Sequence, residues 1–304
     1  MQKCLMQYLS STQKTILMSD NFCVFILTHG RANNVITYNT LRKHGYTGQI
    51  ILLVDNEDVQ VDQYKKLYGE QVHIFDKQKA MDITDSGDNF NKRNSVVYAR
   101  NYNFVVAKEL GIKYFLQLDD DYTQFRYTFD NNDNYITKDI IIKSLDAVIQ
   151  IMLKFYIDNK ITTLAMSQGG DFIGGGGSGV SQKYLKGEFS RKAMNSFFCS
   201  TDRPFKFSGR INEDVNAYTS LGILGGLFLT FPRIRLEQKE TQSNSGGLTD
   251  IYLDLGTYVK SFYSVMYAPS CVKITEMGVN HRRLHHKIKW KNAIPMVLSE
   301  SVKK

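Results

Sequence analysis

The sequence predicts an α/β fold, a mostly parallel central sheet flanked by helices. Three observations carry that expectation. Short apolar runs alternate with helical stretches through the first half of the chain, the rhythm of βαβ units. Helical stretches stop at glycines, Gly45 and Gly111. Polar residues able to do chemistry fall where apolar runs end, at the carboxyl edge where open α/β sheets bind ligands.

Element by element, "FCVFILTHGR" predicts a first strand over 22–28, with His29 and Arg31 just beyond it. "VITYNTLRKHG" follows as a helix closed by Gly45, and "QIILLVDNED" as a second strand over 50–54 that delivers Asp55 to its end. A connection containing "YKKLYG" and "VHIFD" leads to a helix over about 94–110, stopped by Gly111. The apolar "YFLQL" then runs into Asp119, Asp120 and Asp121. Further on come a strand in "ITTLAMS", a glycine cluster over 167–180, and an acidic pair in "SGRINEDVNAY" at the start of a helix through Tyr218.

The 304 residues would allow two domains, but one large domain over 1–304 is expected, with a nucleotide-binding half over about 20–165 and an acceptor and catalytic half over about 166–304. Hydrophobic residues at 42% and charged residues at 22%, with 4 prolines, describe an ordered chain with ample material for a core. A net charge of +8 favours an anionic partner: nucleic acid, a nucleotide or a membrane surface. Cys4, Cys23, Cys199 and Cys271 are scattered without CxxC spacing, which argues against a zinc site and for a reduced, cytoplasmic setting. No apolar run reaches the ~20 residues that span a bilayer, so no membrane partner is expected.

Three adjacent aspartates repel one another, and a cation is expected among them. In an extended strand Asp119 and Asp121 share one face while Asp120 points away, so the outer pair can share a divalent ion through hard oxygen ligands. A solvated acidic turn is the plainer alternative. In "NKRNSVVYARN", Arg93 lies just before a helix and Arg100 within it. A helix amino terminus and arginine forks suit a nucleoside diphosphate, whereas a surface salt bridge is the alternative for each.

A strand ending in "VDN", the "ARN" helix, an apolar strand running into "LDDD" and a later "NED" together resemble the GT-A glycosyltransferases. The order "ARNYNFVVAKELGIKYFLQLDDD", "INEDVNAY" and a "RRLHHKIKW" tail is similar to the TET-associated glycosyltransferase family, linked to phage and base J type DNA modification. The likeness extends over about 22–295. It implies a GT-A, Rossmann-like sheet and transfer of a sugar from a nucleotide sugar, a UDP-sugar, to a hydroxymethylated pyrimidine in DNA. It further implies Asp119 on ribose or metal, Asp121 as the main carboxylate on Mn²⁺ or Mg²⁺, and Asp55 on uracil or ribose. His29, Arg31, Arg93, Arg100 and Asp120 join the donor side; the charge of Asp120 departs from a motif position that tolerates many residues.

A carboxylate that removes the acceptor hydroxyl's proton lowers the barrier to attack, and Glu213 with Asp214 can supply one. Inverting enzymes of this type use the Asp of such a pair, which points to Asp214. A capping cluster over 212–214 is the structural alternative and is compatible with catalysis. The tail "VNHRRLHHKIKWK" offers His285 or His286 to complete the metal shell, as the resemblance implies, or else a basic, aromatic patch for phosphates. Acceptor contacts are assigned to Lys183, Arg191, Arg282, Arg283, Lys287 and Trp290. The glycine cluster lacks the Lys-Ser/Thr ending of a phosphate-cradling loop; it would let backbone approach the donor sugar, cover the acceptor, or serve only as a loop. A GT-A enzyme acting on a saccharide, lipid or protein, and a non-catalytic nucleic-acid-binding protein, are the competing readings. The acidic strand end and "NED" argue against the second.

Overall fold

The computed structural model describes residues 21–188, 190–238, 256, 258–278 and 282–295. Its centre is an eight-stranded sheet in the order β3-β2-β1-β4-β7-β6-β8-β5. β1 (Phe22–Leu27), β2 (Ile50–Asp55), β3 (Val72–Phe75) and β4 (Tyr114–Asp119) are mutually parallel. β7 (Ser196–Ser200) runs antiparallel between β4 and β6 (Thr163–Gln168); β8 (Phe228–Gln238) is parallel to β6 and antiparallel to the edge strand β5 (Tyr122–Tyr127). The expected strands and helices of the first half are present. The antiparallel β7 and β5 are additions that no periodicity in the sequence announced.

Strands β1 and β2 are buried along their whole length, as continuous apolar runs covered on both faces must be. Alternation divides their side chains between two cores. Val24, Ile26, Leu52, Val54, Leu116 and Leu118 face α1 (Ile36–Lys43), α2 (Val61–Tyr68) and α5 (Leu145–Asp158). Phe25, Leu27, Leu53 and Phe115 face α3 (Lys77–Asp82), α4 (Val96–Glu109) and α7 (Glu213–Ile223). Gly45 closes α1 with φ +82°, and a Cβ there would run into the Lys143 carbonyl, so this glycine is required twice over. α6 (Gly179–Leu185) follows the glycine cluster. α8 (Val259–Tyr267) packs on α7 and on a separate hairpin, β9 (Val272–Met277) with β10 (Arg283–Ile288).

The acidic run is not a continuous strand. β4 ends at Asp119, paired with Leu27 of β1, and Asp120 and Asp121 form the turn into β5. The amino terminus of α1 clamps that turn. Thr37 donates from Oγ1 to the Asp119 carbonyl at 2.6 Å and from its amide to the Asp120 carbonyl at 3.0 Å, and its Oγ1 accepts the Tyr122 amide at 2.9 Å.

Candidate active site

Two charged clusters sit along the carboxyl edge of β1, β2 and β4. In the first, Asp55 at the end of β2 takes His29 Nδ1 at 2.7 Å and Lys77 Nζ at 3.3 Å, and Asp58 accepts the Gly30 amide at 2.6 Å. Burial alone would raise the Asp55 carboxyl. The His29 hydrogen bond, with the His29 and Lys77 charges, outweighs it and brings the carboxyl below its usual range. His29 moves the other way, raised by the same bond. Arg93 forks onto Glu57 and donates to Gln78 Oε1 at 2.8 Å on the rim beside this cluster, a half-exposed pair rather than an open phosphate ligand.

The second cluster centres on Arg100, which is 2% exposed. Its Nη2 donates to Asp119 at 2.9 Å and its Nε donates to Glu213 at 3.0 Å, so one guanidinium joins the acidic turn to the helix of the "NED" segment. The ring of Phe197 lies under it, with the guanidinium carbon 4.9 Å from the centroid. The surface salt bridge that stood as the alternative for this mid-helix arginine is thus replaced by a buried bridge. Burial disfavours the charge of Arg100, but Asp119 and Glu213 more than offset this and hold the guanidinium protonated.

The three aspartates part company. Asp120 turns inward and accepts Thr28 Oγ1 at 2.7 Å and Arg31 Nη1 at 2.7 Å, which accounts for a charge that the sequence left unexplained and ties Arg31 to the wall of the crevice. Asp119 faces Arg100, with Tyr122 Oη at 3.3 Å. Asp121 is pushed up to about 7, first by burial and then by the charges of Asp119 and Asp120, with Arg31 opposing.

Glu213 and Asp214 begin α7 in a buried position. Both carboxyls are raised, chiefly by burial; Arg100 pulls each down and the charge of Asp214 raises Glu213. Asp214 Oδ1 accepts its neighbour Val215's amide at 2.7 Å. Asn212 occupies the cap position with φ +60° but caps nothing with its side chain. It reaches sideways instead, to Ser264 Oγ at 2.7 Å, the Lys260 carbonyl at 3.3 Å and His286 Nδ1 at 3.3 Å. The capping alternative for this cluster gives way to a clasp between α7, α8 and β10.

His286 is turned toward the body by that clasp, and burial together with His285, Lys260 and Lys192 lowers it to about 4, so the ring is neutral. The His285 ring lies against it, with centroids 4.3 Å apart, and burial together with Lys260, Arg283 and Lys192 lowers His285 as well. Among the described residues no group of three His, Cys, Asp or Glu side chains stands close enough to hold a metal ion, so the expected set of Asp119, Asp121, His285 and His286 is not assembled. The hairpin seats His286 on Asn212 instead. Asp119 and Asp121 remain as hard donors, with Arg100 on Asp119 and Arg31 on the neighbouring Asp120, and the pair fits a divalent ion that takes its other ligands from a diphosphate.

Two expected acceptor contacts are spent inside the protein. Arg191 donates to the carbonyls of Trp290 at 2.7 Å and Ala293 at 3.2 Å, and Trp290 stacks on Tyr218 with centroids 5.8 Å apart. Arg283 and Lys287 are exposed, as is Lys183 on α6; Arg282 pairs at the surface with Glu276 at 3.3 Å. The glycine cluster folds into two short turns against Tyr135, where a Cβ on Gly176 would lie 3.3 Å from that side chain. Its Asp171 accepts Lys192 Nζ at 2.6 Å. Lys192 and Lys260 both act on Asp214 or His286; from the sequence Lys192 is only the end of a basic stretch suited to a DNA backbone, and Lys260 has no assigned role. A lysine in a basic stretch carries no local signal of what it faces.

Comparison with known proteins gives a family match over most of the chain: the model for the TET-Associated Glycosyltransferase family covers residues 22–247. No curated protein matches the sequence. Among solved structures, glucosyl-3-phosphoglycerate synthase from Mycobacterium tuberculosis, in complex with Mn²⁺, UDP and glucosyl-3-phosphoglycerate, is 9% identical over 91% of this chain and 88% of its own, with a TM-score of 0.42. The mannosyltransferase PcManGT from Pyrobaculum calidifontis, with GDP-Man and Mn²⁺, is 10% identical over 88% and 80%, at 0.44. Residues 1–349 of S. aureus TarS with UDP are 12% identical over 81% of this chain and 65% of that one, less than two thirds of its length, at 0.42.

Proposed function

The chain belongs to the TET-associated glycosyltransferase family and is a glycosyltransferase, and from that premise we propose that it moves a sugar from a UDP-sugar to a hydroxymethylated pyrimidine in DNA, with inversion and with Mn²⁺ or Mg²⁺. The observation that carries the reading is the Arg100 bridge. It brings Asp119 of the acidic turn and Glu213 at the start of α7 to a single guanidinium, which supports a donor side and an acceptor side that share one crevice.

On the donor side, Asp55 is kept ionised by His29 and Lys77 and presents an acceptor for the nucleoside. Asp119 and Asp121 would hold the divalent ion. When bound, that ion neutralises the charge that develops on the leaving diphosphate. Arg100 keeps Asp119 in place and fixes the first turn of α7. Asp214, its carboxyl raised by burial, takes the proton of the acceptor hydroxyl as that oxygen bonds to the anomeric carbon and the bond to the diphosphate breaks. Attack on the face opposite the leaving group inverts the anomeric centre. The net charge of +8 and the exposed Lys183, Arg283 and Lys287 suit a DNA backbone.

Asp121→Asn tests the donor half. Its melting curve should coincide with wild type while turnover and Mn²⁺-dependent nucleotide binding are lost. An active variant with an unchanged metal response would remove the assignment.

A further inference from the structure

Lys192 is fastened in a way that a surface lysine ordinarily is not. Its ammonium meets Asp171 at 2.6 Å, and Asp171, with a side chain only 6% exposed, is itself held by the Gln168 amide at 3.0 Å. The Lys192 carbonyl accepts Thr230 Oγ1 of β8. Its neighbour Arg191 donates to the Trp290 carbonyl at 2.7 Å, and Trp290 stacks on Tyr218, one helical turn beyond Asp214 on the same face of α7. These contacts set the half-buried ammonium where its charge reaches Asp214. A second cation arrives from α8. The Asn212 amide, two residues before Asp214, donates to the Lys260 carbonyl at 3.3 Å and meets His286 Nδ1 at 3.3 Å. Lys260 feels the charge of Asp214, and Arg283 of β10 is close enough to repel it.

Lys192, Lys260 and Arg283 thus bring three positive charges to the surroundings of the proposed base. Asp171 balances Lys192, and Asp214 gives up its own charge when it takes the acceptor's proton. Lys260 and Arg283 are left repelling each other, and a bound anion relieves that repulsion. A neutral saccharide draws nothing from such a field, whereas a phosphodiester is attracted and hydrogen-bonded by it. A pyrimidine swung out of its stack toward Asp214 brings the phosphates of its own nucleotide with it. The donor diphosphate is assigned to Asp119 and Asp121, across the Arg100 bridge from α7.

We propose that Lys192 and Lys260 hold a phosphate flanking the nucleotide to be modified, so that the acceptor's own backbone presents its base to Asp214. The proposal rests on the DNA-acceptor reading, and the experiment separates the two. A fluorescein-labelled single-stranded oligonucleotide with one hydroxymethylated pyrimidine is titrated by anisotropy in the presence of Mn²⁺ and UDP. Ordinary linkages are compared with an uncharged methylphosphonate at the linkage on either side of that nucleotide. A hydrogen bond to a charged group is worth about tenfold in affinity or more. Lys192→Gln should therefore weaken the ordinary oligonucleotide by about tenfold, and one of the two methylphosphonates should weaken wild type as much. Combining variant and methylphosphonate should cost no more than either alone, because both delete the same contact. Lys260→Gln should show the same insensitivity at the same linkage, and Lys192→Arg should keep most of the affinity. Losses that multiply, or a wild type indifferent to both methylphosphonates, would overturn the site while leaving the DNA acceptor standing. So would a Lys192→Gln protein that loses UDP affinity and keeps the oligonucleotide, since the phosphate would then be the donor's. A wild-type protein that binds no DNA at all overturns the acceptor reading itself, and the site with it.

Discussion

Replacing Arg100 with methionine keeps the volume and the stacking on Phe197 but removes the charge between Asp119 and Glu213. The bonds at 2.9 and 3.0 Å put each carboxylate at a charge separation of ~4 Å, where an effective dielectric near 20 gives about 4 kcal/mol of attraction apiece. Burying the guanidinium costs several kcal/mol, so the bridge as a whole contributes little net stability. Breaking it is another matter. Glu213, with a side chain 6% exposed, is left as an uncompensated buried charge, while Asp119 at 29% regains some water. Losses of about 3 to 5 kcal/mol are usual for a broken buried pair. At ~2.1 cal/mol/K per residue, the 304-residue chain changes by about 0.6 kcal/mol per degree, so Tm should fall about 5 to 8 °C at pH 7.5. Because the stranded carboxylates relieve themselves by taking protons, the deficit should shrink as pH falls toward 5. Arg100→Lys, which reaches only one partner, should melt in between. Circular dichroism melts at the two pH values are the assay. A variant melting within a degree of wild type at pH 7.5, or a deficit that grows on acidification, would refute the bridge as described.

Asp214→Asn should reduce turnover by orders of magnitude with nucleotide affinity preserved, as single-turnover kinetics beside a UDP titration would show; equal loss of donor binding would mark a structural role. The His29–Asp55 pair predicts a pH dependence. Because the folded His29 titrates above its ordinary 6.5, its stabilisation is complete below about 6.5 and disappears as pH rises through the raised value. His29→Gln should therefore be less stable than wild type at pH 6 and nearly equal at pH 9. The His29 ring signal followed by NMR should titrate above 6.5 in wild type and fall back in Asp55→Asn.

The first half of the sheet is legible in the sequence because β1, β2 and β4 are continuous apolar runs, and a run buried on both faces states its own length. The positions of His29, Asp55 and Asp119 follow from those runs ending. Partners are another matter. Asp120 is held by Thr28 and Arg31, 92 and 89 positions away, and Arg100 meets Glu213 across 113. Such pairs depend on how strands are ordered and where α7 lands, and no local spacing encodes that. The strand-alternation argument for Asp119 and Asp121 presumed an extended chain where Thr37 instead pins a turn. Asn212 resembles a cap in sequence because the residue type and position are right, yet its left-handed backbone turns the side chain toward α8 and His286. Arg191 and Trp290 read as a nucleic-acid patch from composition, but a cation and an aromatic ring serve equally to fasten a terminal segment to its own protein.

One measurement bears most directly on the central claim. The protein is incubated with Mn²⁺, a panel of nucleotide sugars, and DNA made with ordinary or hydroxymethylated pyrimidines, and the DNA is digested to nucleosides for mass spectrometry. A gain of one sugar on the hydroxymethylated nucleoside alone, with a UDP-sugar, dependent on the ion and absent in Asp214→Asn, is the predicted result. Unmodified nucleosides throughout, from protein that transfers the same sugar to a saccharide acceptor, would contradict it.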